Sequence, residues 1–211
     1  MSPADGRGDP RAGKPASVRT LARTLIDLCR SRKLMIATAE SCTGGLVAAT
    51  LTDIPGSSDV VDRGFVSYSN DAKRAMLGVK ATVLDTFGAV SRETATAMAI
   101  GALEKAGVDL TVAITGIAGP GGGSPGKPVG LVHFAAAARD GRILHREARF
   151  GALGRATVRE RAVIEALKML AELARGPHKV TAQPPSSHRV HPRVSRTPRR
   201  SAGTRRRTSR P

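Results

Sequence analysis

Three short segments carry the residues that could do chemistry, and each follows a predicted strand. The first, residues 38–45, reads Thr-Ala-Glu-Ser-Cys-Thr-Gly-Gly and joins a strand to a helix. A hydroxyl at such a turn lies beside the positive end of the helix dipole, which would stabilise a developing alkoxide or an oxyanion. Ser41 is therefore a candidate nucleophile, and Gly44 and Gly45 would let a substrate approach the backbone. The segment alone fits equally a helix cap formed by Ser41 or Thr43.

The second segment, residues 63–73, places a tyrosine and a lysine close to a strand end. Tyr68 is the single tyrosine of the chain, and Lys73 lies on the first turn of a short helix predicted to begin with Asn70 as its cap. A desolvated lysine near other cations can lose its proton and act as a base toward a serine hydroxyl. The local sequence is also compatible with a solvated lysine on the surface.

The third segment, residues 114–124, is rich in glycine. Successive backbone N–H groups in such a loop could bind a phosphate, although a flexible linker would have the same composition. The segment matches neither the Walker lysine pattern nor a dinucleotide fingerprint. The five histidines form no Ser-His-Asp or metal-binding spacing, and Cys29 and Cys42 lack partners at zinc-ligand spacing. The sequence therefore predicts neither a metal nor another cofactor.

Alternating helices and strands must position these segments. Hydrophobic periodicity and caps predict five helices: 18–29, 46–51, a short helix from 70, 92–106 with Ser91 as cap, and a last helix that runs from a capping box at Thr157 and Glu160 to 176. Apolar runs and turn signals predict five strands, over 34–39, 60–68, 110–115, 130–138 and 143–150. This order indicates an α/β fold: a three-layer α/β/α sandwich with a mixed sheet of about five strands in a single domain.

Composition sets the boundaries of that domain and its expected surroundings. Residues 1–15 and 177–211 lack hydrophobic periodicity, so we predict that both are disordered and that residues 16–176 fold. No apolar run approaches the ~20 residues that cross a bilayer, and the Cys-poor chain fits a reducing, cytoplasmic setting without a membrane partner.

The C-terminal segment carries much of the formal charge of +17. Residues 176–211 hold ten of the 34 Lys and Arg side chains and no Asp or Glu. Two interpretations have equal weight: a solubilising extension, or weak, salt-dependent and non-specific contact with nucleic acid. No aromatic residue lies in this segment to stack on bases.

Taken together in this order, several stretches resemble the C-terminal domain of the CinA family of competence/damage-inducible proteins. The resemblance covers about residues 17–173 and is carried by residues 38–45, 64–70, 88–91, 115–120 and 127–130. It implies metal-free hydrolysis of the carboxamide of nicotinamide mononucleotide to nicotinic acid mononucleotide and ammonia, in pyridine-nucleotide salvage, and a homo-oligomer. Larger members carry an N-terminal domain with pyrophosphatase activity, which we do not expect here.

The resemblance also assigns roles to residues. Ser41 matches the nucleophile of the family, and Tyr68 and Lys73 match the residues that activate it and carry protons. Backbone N–H groups near Ser41, together with Thr115, would hold the oxyanion, while the glycine loop would accept the ribose and phosphate. The predicted substrate-binding residues are Glu40, Cys42, Thr43, Gly44, Gly45, Thr115, Gly116, Gly119 and Gly121.

One departure from the family leaves room for other functions. Many members carry Gly-Asp-Arg where Leu153, Gly154 and Arg155 stand here, so an acidic partner for Arg155 and Arg159 is absent from this turn. The alternatives are a catalytically weak nucleotide-binding protein and a nucleic-acid-associated accessory protein that uses the basic C-terminal segment. Retention of Ser41 and Lys73 together favours the enzyme.

Overall fold

A five-stranded mixed sheet with helices on both faces forms the centre of the structure, which confirms the predicted α/β/α architecture. The computed structural model describes residues 17–176, so the predictions for residues 1–15 and 177–211 lie outside the described chain. The elements are α1 (Val18–Ser31), β1 (Ile36–Glu40), α2 (Leu46–Thr52), a 3-10 turn (Ser57–Asp59), β2 (Val61–Val66), α3 (Asn70–Leu77), α4 (Ala81–Phe87), α5 (Arg92–Ala106), β3 (Leu110–Gly116), β4 (Leu131–Ala138), β5 (Ile143–Arg149) and α6 (Arg155–Arg175).

The strand order, β2-β1-β3-β4-β5, decides where the chemical residues meet. Strands β2, β1 and β3 are parallel, with Glu40 in register with both Val66 and Ile114, and β4 and β5 complete the sheet antiparallel. Parallel strands present their carboxyl ends at one edge of a sheet, where open α/β folds bind their ligands. The segments that follow β1, β2 and β3 therefore converge at that edge.

Alternate strand residues face two different cores. Large aliphatic side chains such as Val112 and Ile114 pack against α1, α2 and α6. The opposite face is lined by alanines, among them Ala113 and Ala135, and packs mainly against α5. Small side chains let this helix approach closely, and at Gly101 of α5 an added Cβ would overlap the carbonyl oxygen of Leu77. The close approach anchors the end of α3 against α5.

The caps of two helices test the local sequence signals. Ser91 caps α5 as predicted, with its hydroxyl accepting from the Thr94 amide at 3.1 Å. Helix α3 is capped by Ser69, whose hydroxyl accepts from the Ala72 amide at 3.0 Å, so the predicted cap at Asn70 is wrong by one residue. Asn70 already has helical hydrogen bonding because β2 ends earlier than predicted, at Val66.

The capping box predicted at Thr157 and Glu160 is also wrong. Helix α6 begins two residues earlier, at Arg155, after Gly154 with a positive φ of 86°, and no side chain caps its first turn. The guanidinium of Arg155 bonds to a distant loop and strand end, and these tertiary contacts are invisible to a four-residue pattern. Helix α4 was not predicted.

Across residues 17–176, no helix has the combined length and apolarity needed to span a membrane.

Candidate active site

The three segments meet in a cavity of about 280 Å³ at the carboxyl edge of the parallel strands. Eight of the predicted site residues line it: Ser41, Cys42, Tyr68, Lys73, Thr115, Gly116, Gly119 and Gly121. Six further residues complete the lining: Ala89, Val90, Ile117, Ala118, Gly122 and Arg155. The lining contains the Arg155 guanidinium and no carboxylate, so the cavity favours a ligand with negative charge.

Lys73 is the buried polar centre of the cavity. Its Nζ lies 3.1 Å from Ser41 Oγ, 2.9 Å from the carbonyl oxygen of Ser67 and 3.3 Å from that of Tyr68. The side chain is 1% exposed, so the interpretation as a solvated surface lysine is wrong. Burial lowers the pKa of this lysine below its ordinary value, although the nearby Cys42 acts in the opposite direction. The neutral form of Lys73, which can accept a proton, is therefore populated at a lower pH than that of an exposed lysine.

The turn that carries Ser41 is fixed by backbone bonds. The Ser41 amide donates to Ile114 O of β3 at 2.9 Å, and its carbonyl accepts from the Gly44 amide at 3.0 Å. Gly45, with a left-handed φ of 92°, is the N-cap of α2, and the first amides of the helix donate to Glu40 rather than to the Ser41 or Thr43 hydroxyl, so neither of these caps it. The Ser41 hydroxyl is thus free of the structural role that the sequence left open.

Four residues predicted to bind substrate lie outside the cavity lining. The Glu40 carboxylate accepts from the first amides of α2, and the Thr43 carbonyl accepts from Arg159 Nη2 at 2.6 Å. Gly44 faces the Arg159 guanidinium and Gly45 faces Val66. Sequence proximity to Ser41 suggested these four as ligands, but they face α2, α6 and the end of β2 instead.

The beginning of α2 also has a different electrostatic role from the predicted one. Because Glu40 occupies the amides of Val47 and Ala48, its carboxylate rather than an oxyanion faces the positive end of the helix. Among residues 17–176, the amides of Cys42 and Thr43 donate to no backbone carbonyl. Of these two residues Cys42 lines the cavity, so its amide is the backbone donor nearest to Ser41 in the chain that remains for a ligand.

Arg155 is a site residue that the sequence did not assign. From the start of α6, its Nη2 donates to Tyr68 Oη at 2.9 Å and its Nη1 donates to Gly119 O at 3.1 Å. The guanidinium therefore joins the glycine loop to the tyrosine across the mouth of the cavity. Tyr68 is 59% exposed despite this bond. The spacing of 87 residues between Tyr68 and Arg155 explains why no local pattern could reveal the pair.

Another wall of the cavity comes from the segment before α5. The Thr115 hydroxyl donates to Ala89 O at 2.6 Å, so its proton is used to hold this wall and is not directed at an oxyanion. Lys127 Nζ donates to Phe87 O at 2.7 Å and ties the glycine loop to the same segment. Apolar lining residues such as Val90 have no chemical signature in a sequence, which is why they were missed.

The two imidazoles within residues 17–176 lie away from this chemistry. His133 of β4 and His145 of β5 contact each other, Nδ1 to Nε2, at 3.3 Å, and neither lines the cavity. The described part of the chain contains no group of three or more His, Cys, Asp and Glu side chains arranged to hold a metal ion. Lys73 is consequently the basic side chain in hydrogen-bond contact with Ser41.

Comparison with known proteins relates this arrangement to relatives. A CinA-like protein from Leptospira borgpetersenii is 56% identical over 120 residues, which are 57% of this chain and 28% of that protein. A CinA-like protein from Synechococcus is 50% identical over 152 residues, 72% of this chain and 36% of that protein. The matched region thus spans about a third of the length of these curated relatives or less.

Solved structures match over nearly their whole length. The competence/damage inducible protein CihA from Agrobacterium tumefaciens superposes with a TM-score of 0.74 and 58% identity, covering 75% of this chain and 96% of that one. A CinA superfamily protein from Escherichia coli superposes with a TM-score of 0.72 and 34% identity, covering 82% of this chain and 94% of that one. The family model of the CinA C-terminal domain matches residues 18–174. The chain therefore belongs to the CinA C-terminal domain family.

Proposed function

We propose that this protein hydrolyses the carboxamide of nicotinamide mononucleotide to nicotinic acid mononucleotide and ammonia, with Ser41 as nucleophile and Lys73 as base. The observation that carries the proposal is the 3.1 Å contact between the buried Lys73 Nζ and Ser41 Oγ in this cavity. A serine hydroxyl is a weak nucleophile at neutral pH and needs a base within hydrogen-bond reach. The amide substrate itself comes from the resemblance to stand-alone nicotinamide-nucleotide amidohydrolases.

The three acceptors around Lys73 Nζ match the three N–H groups of an ammonium, and the same contacts also suit the neutral amine that a base requires. An uncharged amine has two N–H groups and one lone pair, and Nζ has two carbonyl acceptors, from Ser67 and Tyr68, and one hydroxyl neighbour. With both N–H groups donated to the carbonyls, the lone pair is left for the Ser41 hydroxyl proton. Burial favours this neutral form, because it lowers the pKa of the lysine.

The reaction would proceed through an acyl-enzyme. Ser41 Oγ attacks the amide carbon while Lys73 accepts the hydroxyl proton, and the carbonyl oxygen becomes an oxyanion held by the amide of Cys42. The C–N bond then breaks, and the leaving nitrogen takes a proton and departs as ammonia. Water adds to the ester while Lys73 removes one of the water's protons. The C–O bond to Ser41 then breaks as Lys73 returns that proton to Ser41 Oγ, and the acid product loses its own proton to solvent.

Tyr68 would deliver the proton to the leaving nitrogen. Its hydroxyl oxygen already accepts a hydrogen bond from Arg155, so its own proton is free to point into the cavity. Proton transfer from Lys73 through Tyr68 would return the proton that Ser41 lost. The backbone carbonyl of Tyr68 lies 3.3 Å from Lys73 Nζ, which keeps the two residues adjacent.

The charge of the cavity supports a nucleotide substrate. The Arg155 guanidinium lines it without any carboxylate, and the loop from Gly116 to Gly122 contributes backbone to the same wall. A guanidinium binds phosphate oxygens in a geometry that a neutral side chain cannot offer. We therefore place the phosphate toward Arg155 and the glycine loop, and the carboxamide toward Ser41. The chemistry requires neither a metal nor an organic cofactor.

Release of ammonia from nicotinamide mononucleotide tests the proposal. We expect metal-independent activity in the presence of a chelator, abolished in Ser41→Ala and Lys73→Ala and retained in the exposed controls Ser31→Ala and Lys105→Ala. Absence of activity in folded wild type would reject the amidase and favour a protein that only binds nucleotides. Activity that persists in Ser41→Ala would show that another group is the nucleophile.

Family likeness also favours a homo-oligomer in the cytoplasm. Light scattering coupled to gel filtration would measure the oligomeric state.

A further inference from the structure

The side chain of Glu40, the last residue of β1, is completely buried beside the turn that carries Ser41. Its Oε2 accepts from the Val47 amide at 3.0 Å, and its Oε1 accepts from the Ala48 amide at 2.8 Å and from Thr38 Oγ1 at 3.2 Å. It does not line the cavity. We propose that Glu40 is a positioning residue that holds Ser41 at attack geometry beside Lys73, an inference that rests on the proposed function.

Glu40 closes the turn that contains Ser41 from both ends. Its backbone belongs to β1, immediately before residues 41–45, and its carboxylate bonds to α2 immediately after them. Gly44 and Gly45 within this turn have positive φ values of 61° and 92°, and glycines leave a connection with many accessible conformations. The carboxylate bonds remove that freedom by fixing the beginning of α2 to the end of β1.

The same residue also helps to place the base. The backbone carbonyl of Glu40 accepts from the Ser67 amide at 2.9 Å, and the Ser67 carbonyl accepts from Lys73 Nζ at 2.9 Å. Ser41 follows Glu40 directly in the chain. Glu40 therefore fixes the position of both side chains. It is joined to Ser41 by a peptide bond and to Lys73 by two successive hydrogen bonds through Ser67.

The chemistry of this contact requires a carboxylate. Two backbone N–H groups and a hydroxyl donate to its two oxygens, and the partial positive charge at the start of α2 adds a favourable interaction. A carboxamide has the same shape but only one acceptor oxygen, so its NH2 group would face an amide donor of Val47 or Ala48. Glu40→Gln thus disturbs the turn while leaving the volume almost unchanged.

Kinetics of Glu40→Gln separate positioning from substrate contact. Because displacement of a reacting group by about 1 Å can cost about 100-fold in rate, we expect kcat to fall by about that factor with KM unchanged. Glu104→Gln, at an exposed position of α5, is the matched control and should behave as wild type. An increase in KM with kcat unchanged would overturn the proposal, since it would place Glu40 in contact with substrate. Unchanged values of both would overturn it as well.

A second measurement is independent of the nucleotide substrate. The rate at which phenylmethanesulfonyl fluoride modifies Ser41, followed by intact mass, reports the reactivity of the hydroxyl alone. We expect Glu40→Gln to slow this modification by a similar factor while its circular dichroism spectrum stays that of wild type. If wild type is modified but releases no ammonia, the amidase proposal fails and the modification rates decide the role of Glu40. Wild type that is inert in both assays overturns both proposals.

If Glu40→Gln does not fold, Thr38→Val tests the positioning role of Glu40 instead. This substitution removes one of the three hydrogen bonds to the carboxylate and leaves the two helix amides bound. The positioning role predicts a smaller decrease in kcat and in the rate of Ser41 modification, again with KM unchanged. Rates equal to wild type in a folded Thr38→Val protein, together with an unfolded Glu40→Gln protein, would reduce Glu40 to a purely structural residue and overturn the proposal.

Discussion

Replacement of Lys73 by methionine tests the central contact of the site most directly. Methionine keeps an unbranched side chain of similar length in the buried position and removes Nζ with its bonds to Ser41, Ser67 and Tyr68. Acylation would then lack its base, because neither histidine of the described region lines the cavity. General-base catalysis contributes about 10²–10⁴-fold, so kcat/KM should fall by that factor, equivalent to about 3–5 kcal/mol of transition-state stabilisation.

Stability should change much less than catalysis in this variant. The carbonyls of Ser67 and Tyr68 each lose a hydrogen-bond donor, which lowers the free energy of unfolding by about 1 kcal/mol per bond. The cost of burying an amine disappears at the same time. Ammonia release by a coupled assay gives kcat/KM, and thermal unfolding gives the stability of the same preparation. A folded Lys73→Met protein that retains a tenth or more of wild-type activity would refute the assignment of Lys73 as the base. Unfolded protein would instead require the shorter Lys73→Ala variant.

Three further predictions concern pH, packing and the C-terminal segment. Because only neutral Lys73 accepts the proton and burial lowers its pKa from 10.5, kcat/KM should rise with pH with a midpoint below 10.5, and Lys73→Met should lack this limb; a midpoint at or above 10.5 would contradict the burial argument. Gly101→Ala should destabilise the fold by about 1–3 kcal/mol in denaturant titrations, since the new Cβ overlaps Leu77 O. This cost should exceed the gain from the better helix propensity of alanine. An unchanged or higher stability would show that α3 can move away. Deletion of residues 177–211 should leave amidase activity intact and remove any salt-sensitive retention on DNA or RNA, whereas loss of activity would mean that our domain boundary is wrong.

The sequence was sufficient to predict the fold class because its signals are local. The apolar run of β3, the Asp140-Gly141 turn of the β4–β5 hairpin and the Ser91 cap each depend on residues only a few positions apart. Periodicity also placed the three chemical segments after strands. Parallel strands end at one edge, so their convergence followed from topology without any coordinate.

The local signals failed where distant contacts compete with them. The capping box at Thr157 is a valid pattern, yet α6 begins at Arg155, whose guanidinium bonds to Gly119 and Tyr68. Arg155 itself could not be assigned to the cavity from the sequence, since its partners are 36 and 87 residues away. The resemblance to the family marked this turn as unusual but gave no contact for it.

The sequence by itself determined which reactive groups the chain contains and which strand ends carry them. Only the tertiary structure decided which of them are buried and which line the cavity, because burial and direction depend on the packing of remote elements. Lys73 is a solvated cation or a buried base according to how α3 lies against the ends of β1 and β2, and packing chooses the second. Glu40, predicted to bind substrate, is directed by the same packing onto α2, because two unpaired helix amides lie within reach of its carboxylate.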